Sequence, residues 1–218
     1  MNEYKYIFFD LDGTITNSEE GITKSVQYAL KKFGIDEDRK CLTPFIGPPL
    51  SESFKEIYGF DDKKIEKAIE YFREYFSQKG IKEHSLYEGM DVLFPSLKDS
   101  GKTIVLATSK PEIFARNILD QYDITKYFDY ICGASFDEAR SSKSDVLRYA
   151  IETVSPDSLS ACVMVGDRKY DVLGAKEVGM ETIGVAFGFG GHEELEAAGA
   201  KFVVDTVSEL ASVLLNKA

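Results

Sequence analysis

Six short apolar segments recur along the chain, and each is bounded by glycine, aspartate or serine residues. They are apolar on both faces rather than alternating, a pattern typical of strands in a parallel sheet that helices cover on both sides. The sequence therefore predicts six buried strands. The predicted strands are residues 4–10, 103–109, 127–132, 161–167, 182–187 and 202–205.

Between and after these strands lie segments whose apolar residues recur at helical spacing. Alternation of strand and helix along a chain is typical of an α/β protein with a doubly wound parallel sheet. We therefore predict this architecture for the main domain. The predicted helices are residues 111–122, 144–153, 171–178 and 207–215.

The interval after the first strand is purely helical. One helix is predicted after Ser18, which could cap it, and ends at Gly34; two more cover residues 49–58 and 61–79. A block of this size is too long for an ordinary connection between a strand and a helix. We predict an inserted all-helical cap over residues 17–82 and a discontinuous α/β core over residues 1–16 and 83–218.

The charge and the cysteine content of the chain limit the binding partners and the cellular compartment that we expect for it. The 218 residues include 26 Lys and Arg against 37 Asp and Glu, and the net charge of -11 opposes binding to nucleic acid or to an anionic membrane. The three cysteines are an odd number without metal-ligand spacing, which favours a reducing compartment. With a strand predicted close to the first residue and no long apolar run, we expect a cytoplasmic protein.

The candidate chemistry lies at the ends of the predicted strands. In "FFDLDGT", two aspartates stand two residues apart, so in a strand they would project to the same side and repel one another unless a cation lies between them. Ligands of open parallel sheets bind beyond the carboxyl ends of the strands, where these residues would converge. The strand-end candidates are Asp10, Asp12, Thr108, Ser109, Lys110, Asp167 and Asp171.

This set contains several carboxylates and neither histidine nor cysteine. Hard oxygen ligands of this kind suit Mg²⁺. The hydroxyls of Thr108 and Ser109 and the ammonium of Lys143 offer hydrogen-bond donors to phosphate oxygens, although the two hydroxyls could instead cap the helix that follows. The sequence therefore predicts a magnesium site beside a phosphate site.

Four segments in order, "DLDGT", "LATSK", "SSKSD" and "GDRKYD", resemble the four motifs of the haloacid dehalogenase superfamily. The helical insertion resembles the subclass whose cap follows the first motif. The segments "FIGPPLSESF" and "GVAFGFGGHEEL" are similar to the branch that contains phosphoglycolate phosphatases. The resemblance covers essentially the whole chain.

The resemblance implies a role for each matching residue. Asp10 would be the nucleophile that forms an aspartyl-phosphate, and Asp12 the general acid that protonates the leaving group and then activates water. Thr108 or Ser109 would hold a phosphoryl oxygen, and Lys143 would neutralise that group and Asp10. An acid at position 12 also argues against dehalogenation, because the dehalogenases of the superfamily lack it.

The resemblance also implies the metal ligands. Asp167 would bind Mg²⁺ together with Asp10 and the backbone carbonyl of Asp12. Asp171 would either be a fourth ligand or accept a hydrogen bond that positions one.

Several charged residues and glycines close to the motif residues are expected to have no catalytic role. Lys110, Arg168 and Lys169 are expected at the surface, although any of them could lie at the rim of the crevice. Residues 188–191 are expected to form a flexible turn near the site. The glycines of that turn lack the order and the lysine of a nucleotide-binding loop.

The prediction is therefore a Mg²⁺-dependent phosphatase that hydrolyses a small phosphorylated metabolite, such as phosphoglycolate, a nucleotide or a sugar phosphate. A phosphomutase or phosphotransferase of the β-phosphoglucomutase type would share every core residue and remains the first alternative. A non-hydrolytic phospho-signalling module such as a receiver domain is the second. We expect no nucleic-acid or membrane partner, and a monomer, with a dimer as the alternative.

Overall fold

The computed structural model describes residues 4–137 and 139–216 and divides into two compact units. The larger unit consists of the described residues up to Thr16 and those from Leu86 onward, and the smaller unit is Asn17–Ser85. The sequence placed the return to the core at residue 83, whereas the structure places it after Ser85.

The larger unit is built on a parallel sheet, and β2 and β3 form a separate two-stranded sheet. The order of the six-stranded sheet is β5-β4-β1-β6-β7-β8, so the first strand lies in the middle. In chain order the strands are β1 (Tyr6–Phe9), β2 (Thr16–Asn17), β3 (Ser85–Leu86), β4 (Thr103–Pro111), β5 (Tyr130–Ala134), β6 (Cys162–Gly166), β7 (Glu181–Val185) and β8 (Phe202–Val204).

The central strand β1 is buried along its whole length. Phe8 pairs in parallel register with Val105 of β4 on one side and with Met164 of β6 on the other, and all three side chains are fully buried. This apolar centre explains why the six segments are apolar on both faces. The predicted α/β fold with a doubly wound parallel sheet is confirmed.

Helices cover the sheet and make up most of the smaller unit. Two of them, α4 and α8, were not predicted: Pro95 lies inside α4 and is normally a helix breaker, and α8 begins at Gly191 in a run of glycines. Across the described residues, no helix is both long and apolar enough to cross a membrane. The helices are α1 (Glu19–Lys32), α2 (Leu50–Tyr58), α3 (Asp62–Gln78), α4 (Met90–Asp99), α5 (Glu112–Gln121), α6 (Lys143–Val154), α7 (Lys169–Glu177), α8 (Gly191–Ala198) and α9 (Val207–Leu214).

The smaller unit packs α1, α2 and α3 around buried aromatic and aliphatic side chains. The stacked rings of Phe72 and Phe76, with centroids 5.5 Å apart, lie on the buried face of α3. The prediction that Ser18 caps α1 is wrong. The Ser18 side chain caps nothing, and the Asn17 side chain instead accepts a hydrogen bond from the Glu19 amide at 3.1 Å.

Two of the three cysteines are core residues. Cys132 on β5 and Cys162 on β6 are free and buried, and burial raises the pKa of both thiols to about 11. A thiol with so high a pKa is protonated at neutral pH and therefore unreactive. These residues serve packing rather than chemistry.

Candidate active site

Three adjacent strands deliver the strand-end residues to one edge of the sheet. Asp10 follows β1, Thr108 lies near the end of β4, and Asp167 follows β6, and β1 lies between the other two strands. The Asp10 amide donates to the Val165 carbonyl at 2.9 Å, which continues the β1–β6 ladder and fixes the direction of the chain at that point.

A cluster of three carboxylates lies at this edge. Asp10, Asp167 and Asp171 each place one oxygen within 4.8 Å of the others. All three residues are buried, with exposed fractions of 4%, 0% and 1%. Burying three like charges so closely is unfavourable unless positive charge compensates them.

Lys143 supplies part of that charge. It is the first residue of α6, and its Nζ lies 2.8 Å from Asp10 Oδ1 and 2.8 Å from Asp171 Oδ1 and donates to the Ala107 carbonyl at 3.0 Å. Burial by itself lowers the pKa of this lysine, but the charges of Asp10 and Asp171 outweigh it and raise the pKa above the ordinary value. The ammonium is therefore charged at neutral pH.

The two carboxylate oxygens of Asp171 have different partners, an ion pair at Oδ1 and a hydrogen bond at Oδ2. Oδ1 pairs with Lys143, and Oδ2 accepts a hydrogen bond from the Arg168 amide at 3.0 Å in the first turn of α7. Burial raises the pKa of Asp171 to about 6, although the pairing with Lys143 opposes that shift. This residue thus ties the end of β6 to the lysine.

Asp167 is held by neutral donors instead. The Thr14 hydroxyl donates to its Oδ1 at 3.2 Å, and the Phe189 amide donates to its Oδ2 at 2.8 Å. Burial raises the pKa of Asp167 well above the ordinary value, and the charges of Asp171 and Asp10 raise it further. The carboxylate cluster is therefore short of positive charge, which is the electrostatic condition for binding a cation.

The backbone packs tightly around Asp167. Gly13 has a φ of +83°, and a Cβ added there would lie 2.1 Å from Asp167 Oδ2. A Cβ at Gly188 would lie 2.3 Å from the Asp167 Cβ, and the Gly190 amide donates to the Asp167 carbonyl at 3.2 Å. Residues 188–191 therefore lie near the site, as predicted, and Gly13, Gly188 and Gly190 form a close-packed cradle around Asp167.

The expected surface position of Arg168 is wrong. Its side chain is 11% exposed, and its Nε lies 2.8 Å from Glu194 Oε1 on α8. The same glutamate oxygen accepts a hydrogen bond from the Lys169 amide at 2.8 Å, whereas Lys169 is itself exposed, as predicted. This pair links the segment after Asp167 to the helix that follows the glycine cradle.

The expected surface position of Lys110 is also wrong. Its Nζ lies 2.9 Å from Asp12 Oδ2, and both side chains are buried. Each aspartate of the first motif thus pairs with a lysine of its own, Asp10 with Lys143 and Asp12 with Lys110. The Asp12 carboxylate lies outside the three-carboxylate cluster found among the described residues.

The two hydroxyl residues occupy different environments. Thr108 is buried, and its hydroxyl oxygen accepts a hydrogen bond from the Lys110 amide at 3.2 Å, whereas Ser109 is half-buried. Neither hydroxyl caps the following helix, because α5 begins after Pro111 without a side-chain cap. The capping interpretation is therefore wrong.

Comparison with known proteins identifies this arrangement. Residues 7–185 match the family model described as haloacid dehalogenase-like hydrolase. The chain belongs to the haloacid dehalogenase-like hydrolase family. The membership predicted from the four motifs is confirmed, and so is the predicted class of enzyme, a phosphatase of this family.

Individual relatives cover nearly the whole of this hydrolase. A 5'-nucleotidase of Pseudomonas aeruginosa is 42% identical over 197 residues, which are 89% of this chain and 88% of that protein. The tyrosine-protein kinase PtkA of Mycobacterium tuberculosis is 36% identical over 211 residues, 95% of this chain and 72% of that protein. The crystal structure of a predicted phosphatase from Clostridium acetobutylicum is 48% identical, covers 99% of this chain and 100% of its own, and superposes with a TM-score of 0.96.

The cradle around Asp167 predicts an unusual sensitivity at Gly13. We expect Gly13→Ala to lower the free energy of unfolding by about 1–3 kcal/mol more than Gly101→Ala, since the added methyl group must displace Asp167. Gly101 is the matched control, because its φ is +76° and nothing lies within 4 Å of an added Cβ. Urea denaturation of the two variants measures the difference, and equal losses would show that the close approach is relaxed at no cost.

The raised pKa of Asp167 predicts that its carboxylate destabilises the folded hydrolase at neutral pH. A carboxyl group whose pKa is higher in the folded state opposes folding at pH 7, and this effect disappears as the pH falls toward about 4. Asparagine can still accept from the Phe189 amide and can donate to the Thr14 hydroxyl. We expect Asp167→Asn to raise the free energy of unfolding of the metal-free hydrolase at pH 7 by about 1 kcal/mol.

The control for that measurement is Asp99→Asn, at an exposed position, which should leave stability unchanged. The gain from Asp167→Asn should shrink as the pH is lowered from 7, because the wild-type carboxyl group then takes up a proton. Destabilisation by Asp167→Asn at pH 7 would show that the cluster is already compensated electrostatically without a cation.

Proposed function

We propose that this hydrolase is a Mg²⁺-dependent phosphatase that removes the phosphoryl group from a small phosphorylated metabolite through an aspartyl-phosphate on Asp10. The observation that supports this most directly is the position of Lys143. Its ammonium lies against the Asp10 carboxylate at the edge of a buried carboxylate cluster. A carboxylate beside a fixed cation is well placed to attack a phosphoryl group, whose negative charge would otherwise repel it.

The donor set fits magnesium. Oxygen ligands without histidine or cysteine suit a hard divalent cation, and the carboxylates of Asp10 and Asp167 share one buried cluster with raised pKa at Asp167. We propose that these two carboxylates and the Asp12 backbone carbonyl hold the ion. When bound, it would neutralise charge on the phosphoryl oxygens.

Asp171 has a different role in this proposal. Because its two oxygens already engage Lys143 and the Arg168 amide, we assign it to positioning the lysine rather than to binding the metal. We thus adopt the second of the two roles that the motif leaves open for the acid four residues after Asp167.

The chemistry follows from the remaining side chains. The Asp10 carboxylate forms a bond to phosphorus as the bond from phosphorus to the leaving oxygen breaks, and Asp12 gives its proton to that oxygen. Water then attacks phosphorus, the bond to Asp10 breaks, and Asp12 takes back a proton from the water. The hydroxyl of Thr108 or Ser109 would donate to a phosphoryl oxygen during both steps.

The likeness to a 5'-nucleotidase over most of both chains makes nucleoside 5'-monophosphates the first class to test. Phosphoglycolate and sugar phosphates belong in the same panel, because the motif resemblance extends to phosphatases of such metabolites.

A second candidate is transfer of the phosphoryl group to an acceptor hydroxyl. The likeness to the kinase PtkA over 95% of this chain favours considering it, and both reactions would use the same core residues. The two differ in what attacks the aspartyl-phosphate, since the phosphatase uses water and the transferase uses an alcohol or a phenol. Phosphate release without an acceptor therefore separates them.

The deciding experiment measures phosphate release from AMP, phosphoglycolate, a sugar phosphate and p-nitrophenyl phosphate, with Mg²⁺ and with a chelator. We expect release that requires the metal. In Asp10→Asn, kcat/KM should fall by at least about 10³-fold, because the nucleophile is lost.

Asp99→Asn is the matched control for this substitution and should match the wild type. Release that survives in Asp10→Asn or in chelator would overturn the aspartyl-phosphate or the magnesium proposal, respectively. Turnover that needs an added acceptor and gives no free phosphate would instead establish the transferase.

A further inference from the structure

A second buried ion pair lies at the carboxyl edge of the sheet, apart from the cluster around Lys143. Lys110 Nζ is 2.9 Å from Asp12 Oδ2, with only 6% of the lysine side chain and 11% of the aspartate side chain exposed. Burying a lysine and an aspartate without function is costly, and a pair of this kind is weak support for stability alone. None of the motif roles assigned above uses this lysine.

An irregularity in β4 puts Lys110 there. Thr108 pairs with Gly133 of β5 and Pro111 pairs with Ala134, so two extra residues, Ser109 and Lys110, lie between neighbouring pairs of the ladder. The Lys110 amide donates to the Thr108 hydroxyl at 3.2 Å across this bulge. Bulges redirect side chains at the ends of strands, and here the lysine turns inward.

The pairing makes the two oxygens of Asp12 unequal. Oδ2 faces the Lys110 ammonium, whereas Oδ1 is buried and has no hydrogen-bond partner among the described residues. A buried carboxylate oxygen without a partner is unfavourable unless a ligand or a reacting group supplies one. Proton transfer by a carboxyl group uses one oxygen, and Oδ1 is the one that the structure leaves available.

We infer that Lys110 is a positioning residue that holds Oδ2 of Asp12, so that Oδ1 is the atom that exchanges protons during the reaction. This inference rests on the proposed function and adds a residue to it. As the bond from phosphorus to the leaving oxygen breaks, the proton on Oδ1 moves to that oxygen, and Oδ1 later takes a proton from the attacking water. Lys110 does not touch the substrate, and its effect passes through Asp12.

The dependence of the rate on the leaving group distinguishes a positioning role of Lys110 from a purely structural role. An alkyl phosphate such as AMP needs a proton on its leaving oxygen, whereas p-nitrophenolate leaves readily as an anion. General acid catalysis contributes about 10²–10⁴-fold where a proton is needed. Misplacing Oδ1 therefore slows the hydrolysis of alkyl phosphates more than that of aryl phosphates. The ratio kcat/KM measures this effect, because it includes every step up to the transfer of the phosphoryl group to Asp10.

The test compares kcat/KM of Lys110→Met for an aryl and an alkyl substrate. The aryl substrate is p-nitrophenyl phosphate, and the alkyl substrate is AMP or phosphoglycolate, depending on which of these two the wild type hydrolyses faster. We expect the alkyl substrate to lose about 10-fold or more beyond the loss on the aryl substrate. Lys110→Arg, which keeps the cation, should recover part of the difference. Adding Lys110→Met to Asp12→Asn should cause no further selective loss, because no proton then remains to position.

Lys102→Met is the matched control. Lys102 is also buried and immediately precedes β4, at the strand end opposite Lys110. Its replacement should affect both substrates equally.

Equal losses on the two substrates in Lys110→Met, or the same selective loss in Lys102→Met, would overturn the inference and leave Lys110 a structural residue. In that case the proposed function would still stand if Asp10→Asn is inactive. Absence of phosphate release by the wild type from every substrate would instead overturn the proposed function, and the inference with it.

Discussion

The geometry of the site depends on the buried ammonium of Lys143. Its Nζ lies 2.8 Å from an oxygen of Asp10 and 2.8 Å from an oxygen of Asp171, and it donates to the Ala107 carbonyl at 3.0 Å. Its stem packs closely against α7, where a Cβ at Gly174 would lie 2.8 Å from the Lys143 Cγ. One cation therefore holds Asp10 after β1 close to Asp171 on α7, and both close to the end of β4.

One lysine does not balance three carboxylates, and that shortage gives the site its chemistry. Burial raises the pKa of Asp167 and Asp171, so the fold holds negative charge where it is electrostatically unfavourable. A divalent cation would complete the charge balance of the cluster. The second pair, Lys110 with Asp12, gives the other aspartate of the first motif a separate counter-charge outside this cluster. Two aspartates two residues apart can thus perform different tasks because each has its own lysine.

The six strands and the family motifs were readable from the sequence because they are local: an apolar run ends at a polar residue, and the spacing of the motifs follows the order of the strands. What could not be read depends on contacts between distant segments. Lys110 turns inward because of a bulge defined by its pairing with β5, and α4 forms although Pro95 lies within it. Arg168 is covered because Glu194, 26 residues later, lies beside it. A lysine directly after two hydroxyl residues at a strand end was the one available signal for Lys110.

The central claim is that Asp10 carries the phosphoryl group, and trapping that intermediate tests it most directly. The enzyme would be quenched in acid during turnover of p-nitrophenyl phosphate with Mg²⁺, digested and analysed by mass spectrometry, with Asp12→Asn included to slow hydrolysis of the intermediate. We expect a phosphoryl adduct on the peptide that contains Asp10, assigned to that residue by fragmentation and absent from Asp10→Asn. An adduct on another residue, or turnover with no adduct even in Asp12→Asn, would contradict it.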